Sequence, residues 1–223
     1  SFITDTYSNL LKIIVIFFLL FTFLYTKSFV KVNDIKIGEY YALSLFSALG
    51  MLLLVSSNNL LIFYLSIELI SIPLYVLIAM VDTYETSSES SIKYFVLGSL
   101  ASSILLFGIS LVYGSTGIIN FNDVQNLILS GSSVFSSVLL QCGYFLIICG
   151  LLFKLGVAPF HMWVPDIYKG SSIFITLFIS SVPKIAIFGI SYKFIFFIFF
   201  SYYSKIIIIL AILAILAFVI IRP

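Results

Sequence analysis

The chain reads as an all-α integral membrane protein with about seven transmembrane helices, one of them broken in mid-course. Composition and run length predict this. Of its 223 residues, 62% are hydrophobic and 9% charged, and mean hydropathy is +1.24, whereas a soluble domain averages about 25% charged residues. Apolar runs of about 20 residues recur along nearly the whole chain, each long enough to span ~30 Å of hydrocarbon at ~1.5 Å of rise per residue. The polar stretches between them leave no room for a soluble domain.

Helix A is expected over roughly residues 10–26; it is too long for a signal-peptide core and no small-residue cleavage site follows, so it is retained as a span. A Lys-rich loop leads to helix B, roughly 39–56, and the turn Ser57-Asn58-Asn59 leads to helix C, roughly 58–80. So short a turn makes B and C a tight antiparallel pair. Helix D, roughly 91–114, opens after Thr86-Ser87-Ser88-Glu89-Ser90, whose oxygens can cap it, and closes at Gly114. Its Gly98, Ser99, Ala101, Ser102 and Ser103 permit close helix contact. Residues 115–133, with Asn120, Asn122, Asp123 and Asn126, read as the longest loop, and an exposed one. The stretch from Val134 to Tyr168 exceeds one straight span and contains Gly156, Pro159 and Pro165, so helix E should break near 155–160. Helix F, roughly 171–200, carries Pro183 in mid-course, and helix G, roughly 205–221, precedes Arg222-Pro223.

If the spans alternate in direction, Lys27, Lys31, Lys36, Lys93, Lys169 and Arg222 fall on one side and Lys12, Lys193 and Lys205 on the other. By the positive-inside rule the first group marks the cytoplasmic or matrix face. A net charge of +2 with scattered lysines offers no nucleic-acid surface. Cys142 and Cys149 share a face of helix E but stand too far apart to bridge, and read as packing residues. No Gly-rich phosphate loop, dinucleotide fingerprint, cysteine cluster or nucleophile triad occurs, so no redox centre or cofactor is expected in the chain itself. Abundant Phe, Ile, Tyr and Lys beside a single arginine suggest translation from an AT-rich organellar genome.

Three ionisable residues stand in mid-span. Glu68 is near the midpoint of helix C, five residues before Pro73, whose missing N–H frees the carbonyl of Leu69. Lys154 precedes the expected break, where its ammonium can meet unwound carbonyls, and Lys184 follows Pro183 at the centre of helix F. A charge at the bilayer centre costs about 2.5–3.5 kcal/mol on insertion scales. Each residue lies about ten positions, roughly 15 Å of rise, from either end of its apolar stretch, beyond the reach of a snorkelling lysine stem. A set of charges that merely holds helices together is therefore the weaker reading, and a proton path the stronger. In it Glu68 stabilises protonated Lys154, and loosening of that pair releases the proton toward Lys184.

The remaining polar residues carry blander readings. His161, the only histidine, lies in Pro159-Phe160-His161-Met162-Trp163-Val164-Pro165-Asp166; alone it builds no metal site, and it reads as a packing residue or as a relay or fixer of the break. Trp163 and Tyr168 read as interface or packing aromatics. Lys93 reads as a topology determinant, with proton entry or subunit contact as alternatives, and Asp82, Glu85 and Glu89 as solvated or subunit-facing.

In order along the chain stand Leu65-Ser66-Ile67-Glu68-Leu69-Ile70-Ser71-Ile72-Pro73-Leu74-Tyr75, Lys93-Tyr94-Phe95-Val96-Leu97-Gly98, the segment Phe153-Lys154-Leu155-Gly156-Val157-Ala158-Pro159-Phe160-His161-Met162-Trp163-Val164-Pro165-Asp166-Ile167-Tyr168, and Val182-Pro183-Lys184-Ile185-Ala186. This combination resembles the antiporter-like membrane subunits of proton-pumping NADH:quinone oxidoreductase, respiratory complex I, and among them NADH dehydrogenase subunit 2. The resemblance runs from about residue 39 to 200. It implies that Glu68 is the family's glutamate, Lys154 its broken-helix lysine and Lys184 its connecting lysine, together moving protons while quinone is reduced in other subunits. Lys169 and Ser172-Ile173 depart from the family pattern and affect only local loop detail.

The family fold has two inverted five-helix repeats. The implied organisation is therefore an N-terminal helix and Lys-rich loop at 1–38, one antiporter-like five-helix repeat with a broken helix at 39–200, and the start of a second repeat at 201–223. Either the second repeat is truncated here or, the favoured reading, a separately encoded chain completes subunit 2. Other complex I subunits, including further antiporter-like ones, would be partners; flavin and iron–sulfur clusters would reside in partner subunits, and membrane lipids would surround the chain. The mitochondrial inner membrane is the expected location, with the bacterial plasma membrane as alternative. Alternative functions are a cation/proton antiporter subunit and a structural membrane subunit without its own proton path.

Overall fold

Six of the apolar runs become helices long and apolar enough to cross a membrane, as the computed structural model shows for the residues it describes, 2–30, 37–80, 85–129 and 138–199. They are α1 (Thr6–Val30), α2 (Ile37–Ser56), α3 (Leu60–Ala79), α4 (Glu85–Thr116), α6 (Val138–Leu155) and α8 (Ile173–Phe199), with two short helices, α5 (Phe121–Leu129) and α7 (Trp163–Gly170), between them. The protein is thus an all-α integral membrane protein with eight helices among its described residues. The expected helix G, together with Lys31, Lys36, Asp82, Lys205 and Arg222, lies outside the described residues.

Direction alternates along the chain. At one end of the bundle the N-terminal segment bonds to the α2–α3 turn through Ile3 N–H and the Ser56 carbonyl (3.0 Å), while Leu60 N–H donates to Ile119 and Phe121 N–H to Asn58, both at 3.0 Å. Asn59 caps α3 by accepting from Leu61 N–H at 2.8 Å. At the other end Ser87 Oγ donates to the Ile78 carbonyl at 2.6 Å, and α7 lies along the first turns of α4. Helix α8 runs through the centre, touching α1, α2, α3, α5, α6 and α7.

The structure departs from the expected layout in two elements. Helix α4 starts at Glu85 rather than near 91, so the Ser/Glu stretch is helical and not a capping loop. Its serines are tolerated because their hydroxyls turn back onto carbonyls, as Ser87 does and as Ser90 does to Ser87 at 2.9 Å. The helix also runs past Gly114 to Thr116 and is closed by Gly117, at φ +67, whose N–H donates to Tyr113 at 2.7 Å. The second departure is α5, within the stretch expected to be an exposed loop. Phe121 and Val124 are buried, the Phe121 ring meeting Phe63 and Phe194 at 6.0 and 5.8 Å, while Asn122, Asp123 and Asn126 face outward.

Close approach between α4 and α6 depends on glycine. A Cβ on Gly108 would stand 2.8 Å from the Gly143 carbonyl, and one on Gly143 would stand 2.9 Å from the Gly108 carbonyl, so each backbone fills the space the other lacks a side chain to occupy. Cys149 is half-buried on α6 and Cys142 is exposed; neither is in a disulfide.

Candidate functional site

Helix α6 stops at Leu155 because the backbone turns left-handed at Gly156, φ +70. Gly156 N–H then donates to Phe153 at 3.0 Å and Val157 N–H to Leu152 at 3.1 Å, the paired bonds of a Schellman cap. The chain passes a cis Ala158–Pro159 bond and resumes as α7 at Trp163. Trp163 Nε1 reaches back across the interruption to the Phe153 carbonyl at 3.0 Å, and its ring stacks on Tyr94 (5.0 Å) and Phe153 (5.8 Å).

That cap decides what Lys154, in the last turn of α6, can touch. The carbonyls of Leu152 and Phe153, in the last turn of α6, accept from Gly156, Val157 and Trp163. Lys154 is 6% exposed and its Nζ has no hydrogen-bond partner among the described residues. It lies at the negative end of the α6 dipole, which favours a cation, and within electrostatic range of the Glu68 carboxylate. It faces a small internal cavity, with space for about a single water, lined also by Ser71 and Leu74 of α3, Tyr94, Trp163, and Pro183 and Lys184 of α8.

Lys154 and Lys184 therefore share one enclosed space, whereas Glu68 stands beside it. Glu68 is half-buried on α3; its Oε1 is buried without a hydrogen-bond partner, and its Oε2 lies 3.4 Å from Ser71 Oγ. Lys184 is half-buried, with Nζ 5.6 Å from the centroid of the Tyr168 ring, a distance at which an ammonium is attracted by the aromatic face. His161 does not line the cavity; its Nδ1 is buried without a partner and its carbonyl accepts from Val164 N–H at 2.9 Å. That places it at the break, apart from the three charges.

Two further charged sites flank the group. Lys193 is 6% exposed and pairs with Asp5 at 3.7 Å, joining α8 to the start of α1 at the end of the bundle opposite α7. Lys93, in the third turn of α4, pairs with Glu89 at 2.7 Å and with Asp166 of α7 at 3.7 Å; all three are exposed. Sequence reasoning singled out neither Ser71 nor Tyr94, and read Trp163 and Tyr168 as interface or packing aromatics. The only signal for them was proximity in sequence to Glu68, Lys93 and the break.

Residues 57–222 match the family model described as NADH:quinone oxidoreductase/Mrp antiporter, transmembrane. NADH-quinone oxidoreductase subunit N of the bacterium Hydrogenovibrio crunogenus is 42% identical over 193 residues, which are 86% of this chain and 40% of that protein. Among solved structures, respiratory complex I of Thermus thermophilus with bound aureothin contains a chain similar at a TM-score of 0.68 and 33% identity, over 83% of this chain and 39% of that one. A chain of the Mrp complex from a Dietzia species is similar at a TM-score of 0.74 and 25% identity, over 89% of this chain and 36% of its own length. The chain thus spans about two fifths of the length of the curated relative it matches.

Proposed function

The chain belongs to the NADH:quinone oxidoreductase/Mrp antiporter transmembrane family, and on that premise we propose that it is an antiporter-like subunit that moves protons along Glu68, Lys154 and Lys184. One observation carries this reading: two lysines from different helices open onto the same internal cavity, and a serine of that cavity lies on the carboxylate of Glu68. A lysine kept only to hold helices together would be bonded, because an unpaired buried charge costs several kcal/mol. Lys154 is buried and unbonded. A group that must gain and lose a proton is better served by an open cavity than by a fixed partner.

The relay occupies the antiporter-like five-helix repeat, residues 39–200. The order is Glu68, Lys154, Lys184, running laterally through α3, α6 and α8, and its continuation past Lys184 falls to the part of the family fold this chain does not match. The antiporter half of the reading is the better supported, by the family and by the likeness to an Mrp chain. Coupling to quinone reduction is a further step, supported by the name of the curated relative and by the complex I chain. It places flavin and iron–sulfur clusters in partner subunits, beside other antiporter-like chains. The bacterial relatives favour the bacterial plasma membrane over the mitochondrial inner membrane.

Glu68→Gln and Lys154→Ala test the relay in membrane vesicles holding the assembled complex. Both are expected to assemble and to lose proton translocation; assembly with normal translocation would reduce the three charges to helix packing. Purification separates the two coupling readings. Copurifying flavin and iron–sulfur proteins identify a respiratory complex, and their absence with sodium- or potassium-driven proton exchange identifies an antiporter.

A further inference from the structure

Ser71 stands one turn along α3 from Glu68, and its Oγ approaches three acceptors: the carbonyls of Ile67 (3.0 Å) and Glu68 (3.3 Å) and the Oε2 of Glu68 (3.4 Å). The side chain is 2% exposed and lines the cavity that holds Lys154 and Lys184. Ser66 and Ser191 donate only to the preceding turn, Ser66 to Ile62 (2.7 Å) and Ser191 to Ile187 (2.6 Å). Ser71 adds a carboxylate to its carbonyl acceptors. A hydroxyl can donate and accept at once, and its proton rotates to suit, so this one can leave a backbone carbonyl and turn to Oε2 without moving the helix.

We propose that Ser71 carries the proton between Lys154 and Glu68, joined to Lys154 by a water in the shared cavity. The proposal rests on the relay reading above. In the step, the Lys154 ammonium gives a proton to the water, the water gives one to Ser71 Oγ, and Ser71 gives its own hydroxyl proton to Glu68 Oε2. An ammonium and a carboxylate become an amine and a carboxylic acid; water and serine end as they began. The reverse sequence recharges Lys154. Direct contact between Glu68 and Lys154 is then unnecessary, in keeping with an Nζ that has no hydrogen-bond partner.

The test uses membrane vesicles with the complete complex, translocation rates being normalised to assembled subunit. Ser71→Ala removes the hydroxyl without adding volume and is expected to slow translocation by about a hundredfold, the low side of what a positioned proton donor contributes. Ser71→Thr keeps the hydroxyl and is expected to stay within about twofold of the native rate. Native translocation in Ser71→Ala, or loss in Ser71→Thr as deep as in Ser71→Ala, overturns the serine step. Lys154→Ala in the same vesicles separates the two levels: if it translocates normally, the relay reading itself is at fault, and if it alone is inactive, only the Ser71 step is.

Discussion

Lys184 of α8 and Tyr168 of the short helix α7 meet, the ammonium 5.6 Å from the centre of the ring. The Tyr168 hydroxyl is buried with no hydrogen-bond partner, so the ring, not the oxygen, is what serves Lys184. Such a contact is worth about 0.5–2 kcal/mol depending on desolvation. Tyr168→Phe should therefore translocate protons at close to the native rate, whereas Tyr168→Leu should slow translocation several-fold; equal rates in the two variants would remove the ring from the pathway. Glu68, Lys154 and Lys184 are legible from sequence because a charge in an apolar run is visible without knowing what surrounds it. Ser71 and Tyr168 are not, because a serine in a helix and a tyrosine near a helix end are ordinary until three-dimensional contact puts one on a carboxylate and the other under an ammonium.

Among the elements, the α4–α6 contact is the most sensitive to single atoms. Gly143 has no room for a Cβ, with the Gly108 carbonyl at 2.9 Å and Val112 N at 3.0 Å, and these are backbone atoms that cannot swing aside. Gly143→Val should push α6 away from α4 and destabilise the protein by about 1–3 kcal/mol or more, lowering its unfolding temperature in detergent. Gly114→Ala, also in α4 but with nothing within 4 Å of its added Cβ, should leave that temperature unchanged or raised. Because Lys154 lies on α6 and Tyr94 on α4, separation of these helices should open the cavity too. The helix interruption was visible in sequence through Gly156 and Pro159, whose backbone demands are local. Helix α5 was hidden because its exposed Asn and Asp residues dominate the composition, while Phe121 and Val124 reveal their burial only against Phe63 and Phe194, far away in sequence.

For the whole molecule, alternation of the spans sets which charges face which water. Lys27 at the end of α1, Lys93 and Lys169 belong to the end of the bundle that carries α7, and Lys12, Lys193 and α5 belong to the end where the N-terminal segment binds the α2–α3 turn. The positive-inside rule predicts that the α7 end lies on the cytoplasmic or matrix side, which would put Asn122, exposed on α5, on the opposite one. A membrane-impermeant maleimide checks this in cells whose Cys142 and Cys149 have been replaced by alanine. Asn122→Cys should be labelled in intact cells, and Lys169→Cys only after the membrane is opened. Labelling of both from the same compartment would mean an even number of crossings between residues 122 and 169, where α6 is the one helix long and apolar enough to cross among the described residues. The proton route would then have to be redrawn as well, since Lys154 owes its depth in the membrane to α6 entering from the Asn122 side and stopping short at Gly156.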